Sequence, residues 1–206
     1  MEINNLEMIS FRNHKKTNID FDPGLTIIWG ENGSGKTSIL EAIHSLSYGK
    51  SFRTNNKKDL IKKGSDFFFI KGSFKNTENF NNTVSLSQDI KGNKKIQIDN
   101  KIIKKRKDLF GLNNVVVFSP EEEGITKGTP LFRRNYFDRI FSICSYEYLS
   151  SLLLYNKTIK QRNSILKNNN SLFDKEKELE IWDKPFCVNG LNLWQKREIF
   201  MNSFID

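Results

Sequence analysis

The eight residues from Gly30 to Thr37, Gly-Glu-Asn-Gly-Ser-Gly-Lys-Thr, fit the spacing G-x-x-x-x-G-K-[ST] that defines a phosphate-binding loop. Glycine at three positions allows backbone conformations that a β-carbon would forbid, so that successive N–H groups can point at one anion. The Lys36 ammonium can reach the terminal phosphates of a nucleotide, and the Thr37 hydroxyl can ligate Mg²⁺. The predicted nucleotide-binding residues are Gly30, Glu31, Asn32, Gly33, Ser34, Gly35, Lys36 and Thr37.

The loop motif requires a strand before it and a helix after it. Residues 25–29, Leu-Thr-Ile-Ile-Trp, follow the turn residues Asp-Pro-Gly and predict a short buried strand. Residues 38–46 predict a helix, in which the following side chains share one apolar face: Ile39, Ala42, Ile43 and Leu46. This helix would add the positive end of its dipole to the anion site.

The remaining pattern predicts a mixed α/β region followed by helices. Strands are expected at residues 1–11 and 17–21 around a polar turn, and then at 67–74, 83–88, 95–98 and 115–118. Asp99 and Asn100 lie between two short apolar runs and predict a hairpin turn. From Pro130 onward the apolar residues recur at helical spacing. We therefore expect one domain over residues 1–128 and a helical domain over residues 129–206.

The charge balance of the chain favours an acidic polymer as partner. The 206 residues include 33 Lys and Arg against 24 Asp and Glu, which gives a formal net charge of +9. Two basic segments, residues 50–63 and 91–107, could contact a phosphate backbone, and the candidate DNA-binding residues in them are Lys50, Arg53, Lys104, Lys105, Arg106 and Lys107. The alternative is a solvated surface in a chain that is rich in lysine throughout.

The composition also bounds the compartment. Two cysteines far apart in sequence, Cys144 and Cys187, exclude a disulfide framework and disfavour a zinc site, and they fit a reducing compartment. The N-terminus has no basic and apolar secretory pattern, and the longest apolar runs are too short to cross a bilayer. We expect a cytoplasmic protein that has no membrane partner.

Several segments together resemble the RecF family of DNA replication and repair proteins, which belongs to the SMC and ABC-type ATPases. The segments are Ile-Ser-Phe-Arg-Asn at 9–13, the loop at 30–37, Leu-Glu-Ala-Ile at 40–43, Gly-Lys-Ser-Phe-Arg-Thr at 49–54, Val-Phe-Ser-Pro-Glu at 117–121, the Arg pair at 133–134 with Asp138, and scattered positions from 155 to 183. The resemblance covers the whole chain in order. It implies an α/β P-loop NTPase head of the ABC type, present as its N-terminal lobe, followed by a truncated helical arm.

The resemblance implies further properties. They are ATP and Mg²⁺ as cofactors, action at single-stranded gaps with support for recombinase loading and the SOS response, RecO and RecR as partners, and ATP-dependent dimerisation. Carried over by position, Lys36 and Thr37 would hold phosphate and Mg²⁺, Arg12 is a candidate for reaching the phosphates, and Glu121 and Glu122 would lie in a nucleotide-sensing segment.

The sequence departs from the family pattern in the parts that complete catalysis. No two glycines are adjacent, so the signature motif is absent, and no apolar strand ends in the acidic pair that activates water. We therefore expect ATP binding with negligible hydrolysis by this chain alone. Two other interpretations stay open, which are a small-molecule kinase built on the same loop and a non-catalytic fragment that binds nucleic acid through charge.

Overall fold

The computed structural model describes residues 1–54, 56–75, 80–118, 124–168 and 172–205. It divides the chain into two compact units, Met1–Val117 and Phe118–Asp206. The predicted domain boundary at residues 128/129 lies near this division and stays a prediction. None of the described helices combines the length and the apolar character that a membrane span needs.

An antiparallel sheet of six strands forms the frame of the first unit, in the order β2-β1-β3-β4-β5-β6. The strands are β1 Glu2–Phe11, β2 His14–Asp20, β3 Phe67–Lys75, β4 Asn81–Asp89, β5 Lys94–Ile98 and β6 Lys101–Ile102. The predicted polar turn over residues 12–16 is wrong in extent, because β2 already pairs with β1 at His14. The turn therefore consists of Arg12 and Asn13.

The predicted turn at Asp99 and Asn100 is confirmed. Both residues have left-handed backbone angles, with φ of 48° and 65°, and Ile98 pairs with Lys101 across them. Two positive φ values in a two-residue connection are typical of the turn that matches the twist of a β-hairpin.

Helix α1, Lys36–Tyr48, packs against this sheet and ends at Gly49, whose φ is 64° and whose N–H donates to Ser45 O. Its residues Ile39, Ala42 and Leu46 are buried. The buried strand residues around them are Leu6, Met8, Phe11, Phe68, Ile70, Phe74, Val84 and Leu86. The apolar residues that alternate along the strands thus pack against the apolar face of α1 in one core. Two short 3-10 helices, Lys57–Leu60 and Arg106–Leu109, complete the unit.

The two predicted buried strands at residues 25–29 and 115–118 are wrong. Neither segment pairs with a strand among the described residues, and both contain exposed apolar side chains, including Trp29 at 89% and Phe118 at 82% exposure. An apolar run becomes a buried strand only if neighbouring strands cover it. Tyr48 on α1 holds the second segment, because its hydroxyl donates to Val115 O and accepts from Val115 N–H.

The second unit consists of helices α2 Gly124–Lys127, α3 Pro130–Cys144, α4 Tyr146–Lys167 and α5 Leu172–Ile205. The predicted start of α3 at Pro130 is confirmed, and Thr129 caps it by accepting from the Phe132 N–H. Ser145 caps α4 in the same way by accepting from the Tyr148 N–H. The buried residues Phe141, Tyr148 and Leu193 join α3, α4 and α5 in one small core.

Candidate phosphate-binding site

The loop before α1 leaves several of its backbone N–H groups without a hydrogen bond inside the described part of the protein. Gly30, Gly33 and Gly35 have φ of 148°, 85° and 102°, values that residues other than glycine rarely adopt. In the described part of the chain, the N–H groups of Gly33, Gly35, Lys36 and Thr37 donate to no protein acceptor. Several free donors at the start of a 13-residue helix form an anion site, to which the helix dipole adds positive potential.

Lys36 is folded over its own loop. Its Nζ donates to Gly30 O and to Glu31 O, each at 2.8 Å. An ammonium group has three N–H donors, so one remains for a phosphate oxygen. Thr37 is exposed at the first turn of α1, where its hydroxyl is accessible to a metal ion.

The turn between β1 and β2 lies against the loop. Asn13 Nδ2 donates to Gly33 O at 2.8 Å, and His14 Nε2 lies 3.3 Å from Gly35 O. The strand β1, which carries this turn, pairs with β2 on one side and with β3 on the other. The loop is thus supported from a strand that is distant in sequence.

Arg12, the first residue of the turn, forms a forked ion pair with Glu41 on α1. Its Nε lies 2.8 Å from Glu41 Oε2 and its Nη2 lies 2.6 Å from Oε1, while its Nη1 donates to Asp59 O. Ser51 Oγ donates to the same carboxylate, and Arg53 Nη1 lies 3.6 Å from it. Glu41 is fully buried, so these groups replace the water that a carboxylate otherwise binds.

A cavity of about 610 Å³ opens beside the loop. The lining residues are Arg12, Asn13, Asn32, Gly33, Gly35, Lys36, Thr37, Ser38, Arg53, Asp59, Ile61, Lys62 and Lys63. Five of these carry a positive charge, against one carboxylate, and both oxygens of that carboxylate accept hydrogen bonds from Thr54 and Asn56. The cavity is therefore suited to a polyanion with several charges.

The remaining predicted site residues lie in different parts of the structure. Gly30 and Glu31 provide the carbonyls that hold Lys36, and Glu31 O also accepts from Ser34 N–H, while none of the three lines the cavity. Glu121 and Glu122 lie outside the described residues. Arg53, which is predicted as a DNA-binding residue, lies at the cavity beside Glu41 instead of on a separate surface.

The two basic segments approach each other in the fold. Lys94 Nζ, at the start of β5, donates to Gly49 O, the residue before Lys50. Ile103 N–H donates to Ile96 O, so that the exposed Lys104 and Lys105 follow a residue held against β5. Arg106 and Lys107 begin the 3-10 helix Arg106–Leu109.

Sequence reasoning missed four residues that support the site, and they are Asn13, His14, Glu41 and Ser51. Glu41 offered no local signal, because its main partner Arg12 lies 29 positions away in the sequence. His14 offered none, since its role depends on the tertiary contact with Gly35 O.

Comparisons with known proteins identify the family to which the chain belongs. A family model described as an AAA domain matches residues 5–199. The chain is 36% identical over 202 residues to a DNA replication and repair protein RecF of Clostridioides difficile, covering 98% of this chain and 53% of that protein. It is also 36% identical over 208 residues to the RecF of Leptospira interrogans, covering 99% and 56%. The chain thus spans about half the length of the curated relatives it matches.

Solved structures with a similar fold include one of RecF and one from work on SMC ATPases. The structure of the recombination mediator protein RecF with ATP, in the RecFOR pathway, is 32% identical with a TM-score of 0.87, covering 97% of this chain and 54% of that one. A structure from work on SMC ATPases, at 24% identity and a TM-score of 0.56, covers 67% of this chain and 98% of that one, and shows a likeness of fold alone. The predicted ABC-type head with appended helices is confirmed.

Proposed function

The chain belongs to the AAA domain family and corresponds to the N-terminal portion of RecF proteins, and from this premise we propose that it binds ATP with Mg²⁺ as part of DNA replication and repair. The observation that carries the proposal is the set of free N–H groups at the start of α1, which faces the basic cavity together with Lys36.

The residues present fit a nucleoside triphosphate. The loop amides and the third N–H of Lys36 would hold the β- and γ-phosphates, and the Thr37 hydroxyl would ligate Mg²⁺. Arg12 and Arg53 add positive charge at the cavity wall, and Glu41 fixes the direction of the Arg12 fork. These groups bind and orient the phosphates, and the metal supplies further neutralisation of their charge.

The same cavity supports slow or no hydrolysis by the chain alone. Phosphoryl transfer to water requires a group that positions and activates the water. Of the described residues lining the cavity, Asp59 is the one acid, and its oxygens already accept from Thr54 Oγ1 and Asn56 Nδ2. The chain therefore functions as a nucleotide-binding part whose turnover depends on further protein.

We also propose that the basic residues around Lys50, Lys104 and Lys105 bind the DNA backbone. The contact of Lys94 with Gly49 O supports this, because it connects two basic segments that are separate in sequence. Such contacts would be independent of base sequence and strongly weakened by salt.

The remaining elements of the proposal come from the relatives. The matched structure of RecF with ATP comes from the RecFOR pathway. For the present chain we propose ATP-dependent dimerisation. We also propose that it acts together with RecO-type and RecR-type proteins in the cytoplasm. Action at single-stranded gaps, in recombination and in the SOS response belongs to the same proposal.

Calorimetric titration of the chain with ATP and Mg²⁺ tests the proposal. The wild type should bind, and Lys36→Ala should bind about 10- to 100-fold more weakly, because a charge-assisted hydrogen bond to phosphate is lost. Lys16→Ala on β2, away from the cavity, is the control and should bind like the wild type. A folded wild type that binds no ATP, or equal binding by Lys36→Ala, would refute the proposed function.

A further inference from the structure

We propose that Asn13 and His14 are positioning residues of the phosphate loop, which hold two of its carbonyl groups so that its N–H groups stay directed into the cavity. The inference rests on the proposed function and deepens it, because it assigns part of the polyphosphate affinity to a hairpin outside the loop motif. Neither side chain needs to touch the nucleotide to have this effect.

Side chains hold four of the carbonyl groups of the loop. Lys36 Nζ binds the carbonyls of Gly30 and Glu31, Asn13 Nδ2 binds that of Gly33, and His14 Nε2 contacts that of Gly35. These four contacts come from three side chains, two of which lie on the β1–β2 hairpin. A peptide group is planar, so a hydrogen bond that holds its carbonyl also restricts rotation of its N–H. Because four carbonyls of this short loop are held, its peptide planes cannot reorient freely.

The contact at Gly35 has a direct effect on the anion site. In a trans peptide the carbonyl of one residue and the N–H of the next point in opposite directions. Gly35 O accepts from Ser38 N–H and Ile39 N–H within α1 and lies 3.3 Å from His14 Nε2. The N–H of Lys36, on the other side of this peptide plane, therefore points out of the helix toward the cavity.

The fit between His14 and the loop is close. A β-carbon built on Gly35 would lie 2.4 Å from His14 Nε2 and 2.9 Å from Asn13 Oδ1, which is far below an ordinary contact distance. Gly35 is thus required both by its φ of 102° and by the hairpin that packs on it. The other ring nitrogen, His14 Nδ1, lies 3.0 Å from Thr17 Oγ1, so that the ring is held on both sides.

The hairpin is itself fixed, so it can serve as a support. Arg12 has a left-handed backbone with φ of 54°, its N–H donates to Leu60 O, and its side chain is bound to Glu41. Lys62 Nζ donates to Asn13 O at 2.8 Å. A non-glycine residue held at positive φ costs free energy, and such strain persists where the surroundings determine the conformation. The turn therefore holds Asn13 and His14 in one orientation before any ligand binds.

The experiment compares Asn13→Ala and His14→Ala with matched controls in the full chain. Asn18→Ala, on the same hairpin but bonded to Asn5, controls for loss of an asparagine, and His14→Gln keeps an N–H donor in place of the ring. Each alanine variant should bind ATP about 5- to 10-fold more weakly, as expected for loss of one hydrogen bond. Asn18→Ala should bind like the wild type, and His14→Gln should recover most of the affinity.

A second measurement separates positioning from general stability and from the proposed function. Amide hydrogen exchange at residues 32–37 without nucleotide should be faster in both alanine variants, while exchange in β3 and β4 stays unchanged. Asn13→Leu, which keeps the size of the side chain and cannot donate, replaces Asn13→Ala if that variant unfolds. Unchanged ATP affinity and unchanged loop exchange in folded variants would overturn the inference. If the wild type binds no ATP, the proposed function fails and the exchange data alone decide this inference.

Discussion

Glu41 in the middle of α1 and Arg12 in the β1–β2 turn form a forked ion pair, with 2.6 Å between Arg12 Nη2 and Glu41 Oε1 and no solvent exposure of the Glu41 side chain. Ser51 and Arg53 bind the same carboxylate. Three segments that are separate in sequence thus converge on one buried charge beside the phosphate cavity.

Removing that buried charge should destabilise the chain strongly. Glu41→Ala leaves the Arg12 guanidinium without its partner, and loss of one member of a buried pair costs about 3–5 kcal/mol. Urea unfolding should show this loss as a lower midpoint at an unchanged slope. Glu2→Ala, at the exposed start of β1, should change the free energy of unfolding by less than about 0.5 kcal/mol. Equal effects of the two substitutions would contradict the structural role of Glu41.

Tyr148 should make the helical unit sensitive to high pH. Burial, and then the hydrogen bond of its hydroxyl to Asp138 Oδ1 at 2.5 Å, raise the pKa of Tyr148 above its ordinary value of 10.0, although Arg197 opposes the shift. A raised folded-state pKa gives stability that is complete below pH 10 and is lost as the pH rises further, because the unfolded chain then ionises first.

Urea midpoints measured from pH 8 upward check this dependence, with about two points on either side of the ordinary tyrosine pKa. Tyr148→Phe should be less stable at neutral pH by about 1 kcal/mol, through loss of a hydrogen bond, and should lose less stability between pH 9 and 11. Tyr155→Phe on the same helix is the control and should keep the wild-type slope. A Tyr148→Phe slope equal to that of the wild type would count against the assignment.

Trp29 should contribute little to the stability of this chain. Because its side chain is exposed, Trp29→Ser should change the free energy of unfolding by no more than about 0.5 kcal/mol. Phe68→Ala in the core of the sheet provides the contrast and should cost about 3–5 kcal/mol. A large loss of stability in Trp29→Ser would mean that residues 25–29 are buried as the sequence pattern predicts.

Charge reversal should reveal whether the basic surface binds DNA. The double variant Lys104→Glu/Lys105→Glu should lower affinity and reduce the salt dependence of DNA binding by about two released counterions. Lys157→Glu/Lys160→Glu on α4 makes the same change of net charge in the helical unit and should keep the wild-type slope of log affinity against log salt. An identical slope in both variants would assign DNA contact to other residues.

Sequence reasoning located the centre of the site because the loop motif is local. Eight consecutive residues specify the glycines, the lysine and the helix start, and no distant contact is needed to recognise them. The start of α3 at Pro130 and the turn at Asp99-Asn100 could also be predicted from the sequence, because helix caps and tight turns depend on neighbouring residues. The strands at 25–29 and 115–118 were wrong, since burial depends on whether other strands lie beside an apolar run.

The sequence by itself determined that this chain carries a phosphate loop before a helix, a set of β-strands in the same region and a helical region after it. Backbone conformation at glycines, period-two alternation and helical spacing are short-range properties, so each leaves a pattern in a few consecutive residues. Tertiary structure alone decided that Asn13 and His14 contact the loop and that Arg12 and Arg53 share Glu41. These contacts join residues that lie between 12 and 29 positions apart in the sequence. Their formation depends on how the sheet brings the β1–β2 turn to the helix, which no local pattern encodes.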